Sequence, residues 1–92
     1  MSNSSTKPIA EVRRGAVKAS IWKNAIDDGN NSRNVFNVTF QRLYRDEQSK
    51  WHGSESFGRD DLLIMAQVAQ KAFDRIHELQ QSERQTERAA QP

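Results

Sequence analysis

Apolar and polar residues alternate along much of the first half of the chain. Such alternation, with a period of two residues, is typical of a β-strand that buries one face. It is cleanest in residues 16–24 and predicts a strand there. One side carries Val17, Ala19 and Ile21, and the other carries Lys18, Ser20 and Trp22. A shorter, half-alternating run over residues 9–14 predicts a second strand, whose pairing the pattern leaves open.

Two polar clusters divide the rest of this half into further strands. Residues 27–32 (DDGNNS) and 46–49 (DEQS) are rich in side chains that favour chain reversal. The run between them returns as a strand with Phe36, Val38 and Phe40 on one face and Asn37, Thr39, Gln41 and Leu43 on the other. Residues 51–57 then predict a short edge strand. Its polar residues His52, Ser54 and Ser56 are expected at the edge of the sheet face that the helix leaves uncovered.

A single helix is predicted after Gly58. Asp60 and Asp61 suit the positive end of a helix dipole, and the apolar stripe from Leu62 to Leu79 is wider than one sheet face needs. One set of residues is expected to cover the sheet: Leu62, Ala66, Ala69, Phe73 and Ile76. The other set lies on the flanks: Leu63, Met65, Val68, Ala72 and Leu79. These flanking residues either widen the core or form a homodimer interface between helices of two chains, which a domain this small slightly favours.

The pattern as a whole predicts an α+β fold, a three- to four-stranded antiparallel β-meander followed by one C-terminal α-helix. At 92 residues with 35% hydrophobic side chains, the chain has room for one domain. We expect this domain over residues 8–80, with disordered tails over residues 1–7 and 81–92, where no side chain is both large and apolar apart from Met1.

Composition removes several classes of function. The chain has no cysteine and two histidines, so disulfide, thiol and zinc-finger chemistry are not expected. No motif for a nucleophile, a phosphate loop or a metal site can be assembled, and we expect neither an enzyme nor a cofactor. No membrane-spanning run or secretory signal is apparent, which predicts a soluble, cytoplasmic protein.

The distribution of charge hints at an anionic partner. The net charge is +2, but residues 1–57 hold nine basic against six acidic side chains, whereas residues 58–92 hold five against six. One helix covers one face of the sheet, so the other face is expected to be solvated or used. Cations, hydrogen-bonding groups and Trp22 are interleaved there, a mixture that suits single-stranded nucleic acid but also fits an ordinary solvated face.

Three segments carry a resemblance to known proteins. The runs VRRGAVKASIW at 12–22, NVTFQRLYRD at 37–46 and SFGRDDL at 56–62 resemble a family of small uncharacterised bacterial proteins. The layout of strands and helix is also similar to the single-stranded DNA-binding fold of the transcriptional coactivator positive cofactor four and of the plant Whirly proteins. That similarity implies pairing of two chains through their helices. It also implies nucleic-acid contacts from six side chains: Arg13, Arg14, Lys18, Trp22, Arg42 and Arg45.

Two hypotheses follow. The first is a homodimeric, non-enzymatic module that binds single-stranded DNA or RNA and acts in transcription or DNA maintenance. Arg13, Lys18 and Arg45 would capture the strand and Trp22 would stack on its bases, with little base selectivity. The alternative is a protein-interaction or scaffold module that docks another chain on the same sheet face or edge. Neither involves a membrane or a small-molecule substrate.

Overall fold

The structure is a computed structural model that describes residues 7–27, 29 and 32–90. It confirms the α+β prediction, with four antiparallel strands followed by one helix. The elements are β1 (Ala10–Arg14), β2 (Val17–Asp27), β3 (Ser32–Arg45), β4 (Trp51–Ser54) and α1 (Arg59–Ala90). The predicted tail over residues 1–7 lies, apart from Lys7, outside the described residues.

The strands form one sheet in the order β1-β2-β3-β4, so every neighbour in sequence is a neighbour in space. The pairing of β1, which the sequence left open, is with β2, where Arg14 lies opposite Val17. The two residues between them turn the chain, and Gly15 adopts a φ of 58°, which side chains with a Cβ rarely tolerate. Glycine at position 15 therefore makes the tight β1–β2 turn possible.

The turn between β3 and β4 is organised by Asp46. One oxygen of its carboxylate, Oδ1, accepts hydrogen bonds from the backbone N–H groups of Gln48 (2.8 Å) and Lys50 (2.9 Å). The backbone N–H of Asp46 donates to the Lys50 carbonyl at 2.9 Å, which closes a five-residue loop. Arg45 consequently pairs with Trp51, and paired residues point to the same face.

This register corrects the predicted orientation of β4. Trp51 and Gly53 share the uncovered face with Arg45, whereas His52 and Ser54 point to the helix side. The sequence pattern suggested the opposite because a strand of four residues has too few apolar positions to identify its buried face.

The core lies between β2 and α1. Val17, Ala19 and Ile21 are buried on one side, and Val68 and Ala72 of α1 are buried on the other. α1 packs against β2 and β1. The side chains of Phe36, Val38 and Phe40 on β3, which point to the same face, are therefore only half-buried. The core is small, and it leaves the outer part of this sheet face thinly covered.

The helix is rotated relative to the prediction. Val68 and Ala72, expected on a flank, are buried against the sheet, and Met65 and Leu79 are half-buried. Of the five residues predicted for a dimer interface, only Leu63 is well exposed, at 78%. Conversely, Leu62 and Phe73, expected to cover the sheet, are 54% and 72% exposed. Because the apolar stripe is wide, periodicity permits either rotation, and the compact Val68 and Ala72 let the helix approach β2 closely.

Polar contacts hold the start of the helix and a point in its C-terminal part. The Asp61 carboxylate accepts a hydrogen bond from the Gly58 N–H at 2.9 Å, which confirms the predicted start of the helix. The apolar pattern predicts an end near Gln80, but the helix continues to Ala90. Glu83 pairs there with Lys23 and accepts a hydrogen bond from Asn34 Nδ2 at 3.3 Å. Among the described residues, no helix has the length and apolar character needed to cross a membrane.

Candidate nucleic-acid interface

The face of the sheet opposite α1 is rich in cations, polar groups and tryptophan. We name it the open face. Strand alternation and register place the following side chains on it: Glu11, Arg13, Lys18, Ser20, Trp22, Asn24, Ile26, Arg33, Val35, Asn37, Thr39, Gln41, Leu43, Arg45 and Trp51. Four of these are cations and Glu11 is the one carboxylate among them, so this strand surface is electropositive.

Trp51 is the most prominent aromatic side chain of the open face. It is 57% exposed, and two guanidinium groups lie over its ring, that of Arg45 at 5.1 Å and that of Arg13 at 5.9 Å from the ring centroid. Both distances lie within the range of cation–π attraction. Arg13 belongs to β1 and Trp51 to β4, the two edge strands, so their approach means that the sheet curls around the open face.

Gly53 helps to keep this concave surface compact. The side-chain amide of Gln41 packs over Gly53, with its Nε2 atom 3.0 Å from the point where a Cβ at position 53 would stand. A side chain at position 53 would require this amide to shift slightly. The absence of a side chain at position 53 therefore lets Gln41 of β3 lean over β4.

Trp22, the predicted stacking residue, does lie on the open face. It is half-buried, and its indole Nε1–H donates a hydrogen bond to Thr39 Oγ1 at 2.9 Å. This bond across β2 and β3 fixes the ring against its own sheet. Trp22 consequently offers less free surface to a ligand than Trp51 does.

Two of the six predicted contact residues lie elsewhere. Register places Arg14 and Arg42 on the helix side of the sheet. The Arg42 side chain donates from Nε to the Ser56 carbonyl at 2.9 Å and approaches Asp61 at 3.8 Å, so it ties the β4–α1 connection to β3. Arg14 lines a shallow cleft with α1. Arg13, Lys18 and Arg45 are the predicted cations that share the open face with Trp22.

His52 takes part in a cluster on the helix side. Its Nε2 atom lies 2.7 Å from Asp46 Oδ2, and its ring stacks on Tyr44 with centroids 5.4 Å apart. The hydrogen bond with His52, followed by those from the Lys50 and Gln48 backbone, lowers the pKa of the Asp46 carboxyl below its ordinary value. The cluster therefore stabilises the β3–β4 turn, and through it the position of Trp51.

This lowered pKa predicts an acid-sensitive turn. A carboxyl whose pKa is lower in the folded chain stabilises the fold above its ordinary pKa of 3.8 and loses that contribution as pH falls through the folded value. We expect the melting temperature of wild type to exceed that of Asp46→Asn at pH 5, and the difference to shrink below pH 3.8. Thermal unfolding followed by circular dichroism between pH 5 and pH 2 measures this.

The same series in a His52→Ala background provides the control. Since the His52 hydrogen bond is the largest cause of the lowered pKa, the pH-dependent part of the difference should become smaller there. A wild-type advantage that stays constant from pH 5 to pH 2 would contradict this account of the turn.

Sequence reasoning missed the position of Trp51 on the open face. The signal that would have found it is the loop length, because five residues closed by Asp46 pair position 45 with position 51. Once Arg45 is placed on the open face, Trp51 must join it. The pattern within residues 51–57 alone carries no such constraint.

The described side chains include no group of three metal-binding residues arranged to hold an ion. Comparisons with known proteins assign no family. A scan against protein-family models finds no matching model, and searches of curated proteins and of solved structures find no match. The argument for a function therefore rests on the geometry of the open face.

Proposed function

We propose that this chain binds single-stranded nucleic acid, DNA in the first place, on the open face and catalyses no reaction. The observation that carries the proposal is the exposed indole of Trp51 beneath the guanidinium groups of Arg13 and Arg45. A role in transcription or DNA maintenance would follow from such binding. The resemblance to the positive cofactor four and Whirly fold is consistent with the proposal and stays a prediction.

The chemistry of the open face favours single strands over duplexes. An indole stacks on the face of a base, and base faces are accessible only when the strand is unpaired. Arg13, Lys18 and Arg45 supply positive charge beside the ring, where the phosphates of a stacked strand would run. The curl of the sheet would hold a flexible strand against both kinds of group.

Base selectivity is expected to be low. The polar side chain opposite Lys18 is Gln41, whose exposed amide can donate and accept hydrogen bonds with any base. Stacking on Trp51 is available to all four bases because each has a π-face. Affinity should therefore depend on strand length and salt more than on sequence.

The test is fluorescence anisotropy of a labelled single-stranded oligonucleotide, titrated with protein at several salt concentrations. With three cations at the site, the logarithm of the binding constant should fall with the logarithm of salt with a slope of about −2. Lys18→Ala should reduce that slope by about 0.7, the contribution of one phosphate contact to a single strand.

Two controls accompany this titration. A duplex of equal length should bind more weakly than the single strand at each salt concentration. Lys71→Ala changes the same type of charge on α1, near Arg14 and away from the open face, and should leave the slope unchanged. Absence of binding at low salt would refute the proposal and direct the search to protein partners of this face.

A further inference from the structure

One edge of β3 is open over most of its length. β3 pairs with β2 along residues 32–42, but β4 covers the opposite edge only from Arg42 to Arg45. In the part of the chain that the structure describes, residues 33–41 therefore have a strand on one side and none on the other. This length exceeds that of a typical strand, so the open edge is extensive.

The direction of the backbone groups along this edge follows from one hydrogen bond. The Leu43 N–H donates to the Ala16 carbonyl at 2.7 Å, on the β2 side of the strand. Since successive residues of a strand direct their N–H and C=O groups to opposite sides, the even-numbered residues point outwards. These are Asn34, Phe36, Val38 and Phe40. Within residues 32–90, no backbone hydrogen bond from outside the sheet reaches them.

The open edge lacks the usual protection against pairing. Residues 33–41 (RNVFNVTFQ) contain no proline, glycine or acidic side chain, and Arg33 is their single charge. Soluble proteins normally interrupt an exposed edge with charges, proline or bulges, because an uninterrupted edge pairs with other strands. A regular edge of β-branched and aromatic residues is expected to be covered by a partner strand.

The surroundings of the edge are apolar on the helix side. Phe36, Val38 and Phe40 are half-buried there. Gln80 of α1 lines a cleft with Phe36, and Phe73 lies two helical turns before Gln80 on the same side of the helix. The exposed ring of Phe73 therefore faces the side of the chain on which β3 is open.

We propose that the open edge of β3 pairs antiparallel with the same edge of a second copy of this chain. The strand is complementary to itself. With Val35 on the twofold axis, Asn34 lies opposite Phe36 of the partner subunit, and Ser32 lies opposite Val38 of the partner subunit. Asn34, Phe36 and Val38 of each strand then exchange backbone hydrogen bonds with the other copy. This register keeps Ser32 away from the position opposite Arg42 of the partner subunit, where Ser54 of the partner subunit already pairs.

Side chains are also compatible with this register. A twofold axis normal to the sheet keeps the faces together, so Phe36 and Val38 of both copies lie at the interface on the helix side. On the open face, Arg33 lies opposite Asn37 of the partner subunit, so no like charges are opposed. The interface would bury side chains of β3 that α1 leaves half-buried.

The proposed dimer differs from helix pairing and does not depend on nucleic-acid binding. It joins two four-stranded sheets into one of eight strands, with both helices on one side and both open faces on the other. Two Trp51 sites related by twofold symmetry would then share a continuous surface.

The first test compares two substitutions at Val38 by sedimentation equilibrium. Wild type should sediment at twice the 10.6 kDa chain mass at tens of micromolar. Val38→Pro removes the backbone N–H that points to the open edge and leaves the hydrogen bonds to β2 intact. Because the dimer is symmetric, two hydrogen bonds across the interface are lost. The substitution should raise the dissociation constant at least about tenfold. Val38→Ala keeps the N–H and should remain more dimeric than Val38→Pro at the same concentration. The proposal is contradicted if wild type is monomeric. It is also contradicted if Val38→Pro and Val38→Ala lose or keep the dimer to the same extent.

The second test needs no substitution and decides the matter if Val38→Pro fails to fold. Amide hydrogen exchange of wild type is measured by NMR at low and high protein concentration. The N–H groups of Asn34, Phe36 and Val38 should become protected as concentration rises. Those of Asn37 and Thr39, bonded to β2, should be protected at both concentrations. Concentration-independent exchange at the three outward positions would overturn the proposal.

Discussion

Trp51→Ala is expected to weaken binding of single-stranded DNA by about one to two orders of magnitude. Stacking of a base on an aromatic side chain contributes about 1–3 kcal/mol, and the exposed Trp51 ring is the largest such surface on the open face. The loss should be similar for oligonucleotides of different sequence, because stacking does not read base edges. Anisotropy titrations at one low salt concentration measure it.

Two other aromatic residues serve as matched controls. Trp22→Ala removes the same side chain from the same face, but its half-buried indole bonded to Thr39 predicts a smaller loss of affinity. Phe73→Ala removes an exposed ring of α1, on the opposite side of the sheet, and should leave affinity unchanged. Wild-type affinity in folded Trp51→Ala, or a larger loss in Phe73→Ala, would show that the site is placed wrongly.

Val68→Asp is expected to unfold the chain. Val68 of α1 is fully buried against β2. The side chains of the core cluster include no cation and no hydrogen-bond donor. An unpaired carboxylate there costs several kcal/mol, which is comparable with the roughly 5–15 kcal/mol total stability of a domain. Far-ultraviolet circular dichroism and urea denaturation of the variant test the expectation.

Leu63→Asp introduces the same charge five residues earlier on the same helix. Leu63 is 78% exposed, so the carboxylate stays in water and the free energy of unfolding should change by less than about 0.5 kcal/mol. The pair distinguishes the two possible rotations of α1. If Leu63→Asp unfolds the chain and Val68→Asp does not, the helix presents its other flank to the sheet.

The strands β2 and β3 were predictable because local alternation dominates both. Val17, Ala19 and Ile21 identify the buried face of β2 without reference to any other element, and the confirmed core contains all three. The polar run after Asp27 likewise predicts a reversal, and the register follows once Asp27 pairs with Ser32. The same alternation predicted the face of four further side chains correctly: Arg13, Lys18, Trp22 and Arg45.

The rotation of α1 and the orientation of β4 were predicted wrongly because the local pattern of each element has two solutions. The apolar stripe of α1 covers so much of the helix that either Phe73 or Val68 can face the sheet, and only contact with β2 selects Val68. β4 has four residues, and its orientation depends on how Asp46 closes the preceding loop. Arg42 carries the same charge as Arg45, yet its bond to the Ser56 carbonyl makes it a structural residue.

The amino-acid pattern alone therefore settles the α+β architecture, the buried face of β2 and the basic character of the opposite face, because each depends on neighbours along the chain. The approach of Arg13 to Trp51, the buried face of α1 and the open edge of β3 depend on residues that are distant in sequence. Sheet curl, helix rotation and strand length determine them. These are properties of the packed chain, and no local periodicity encodes them.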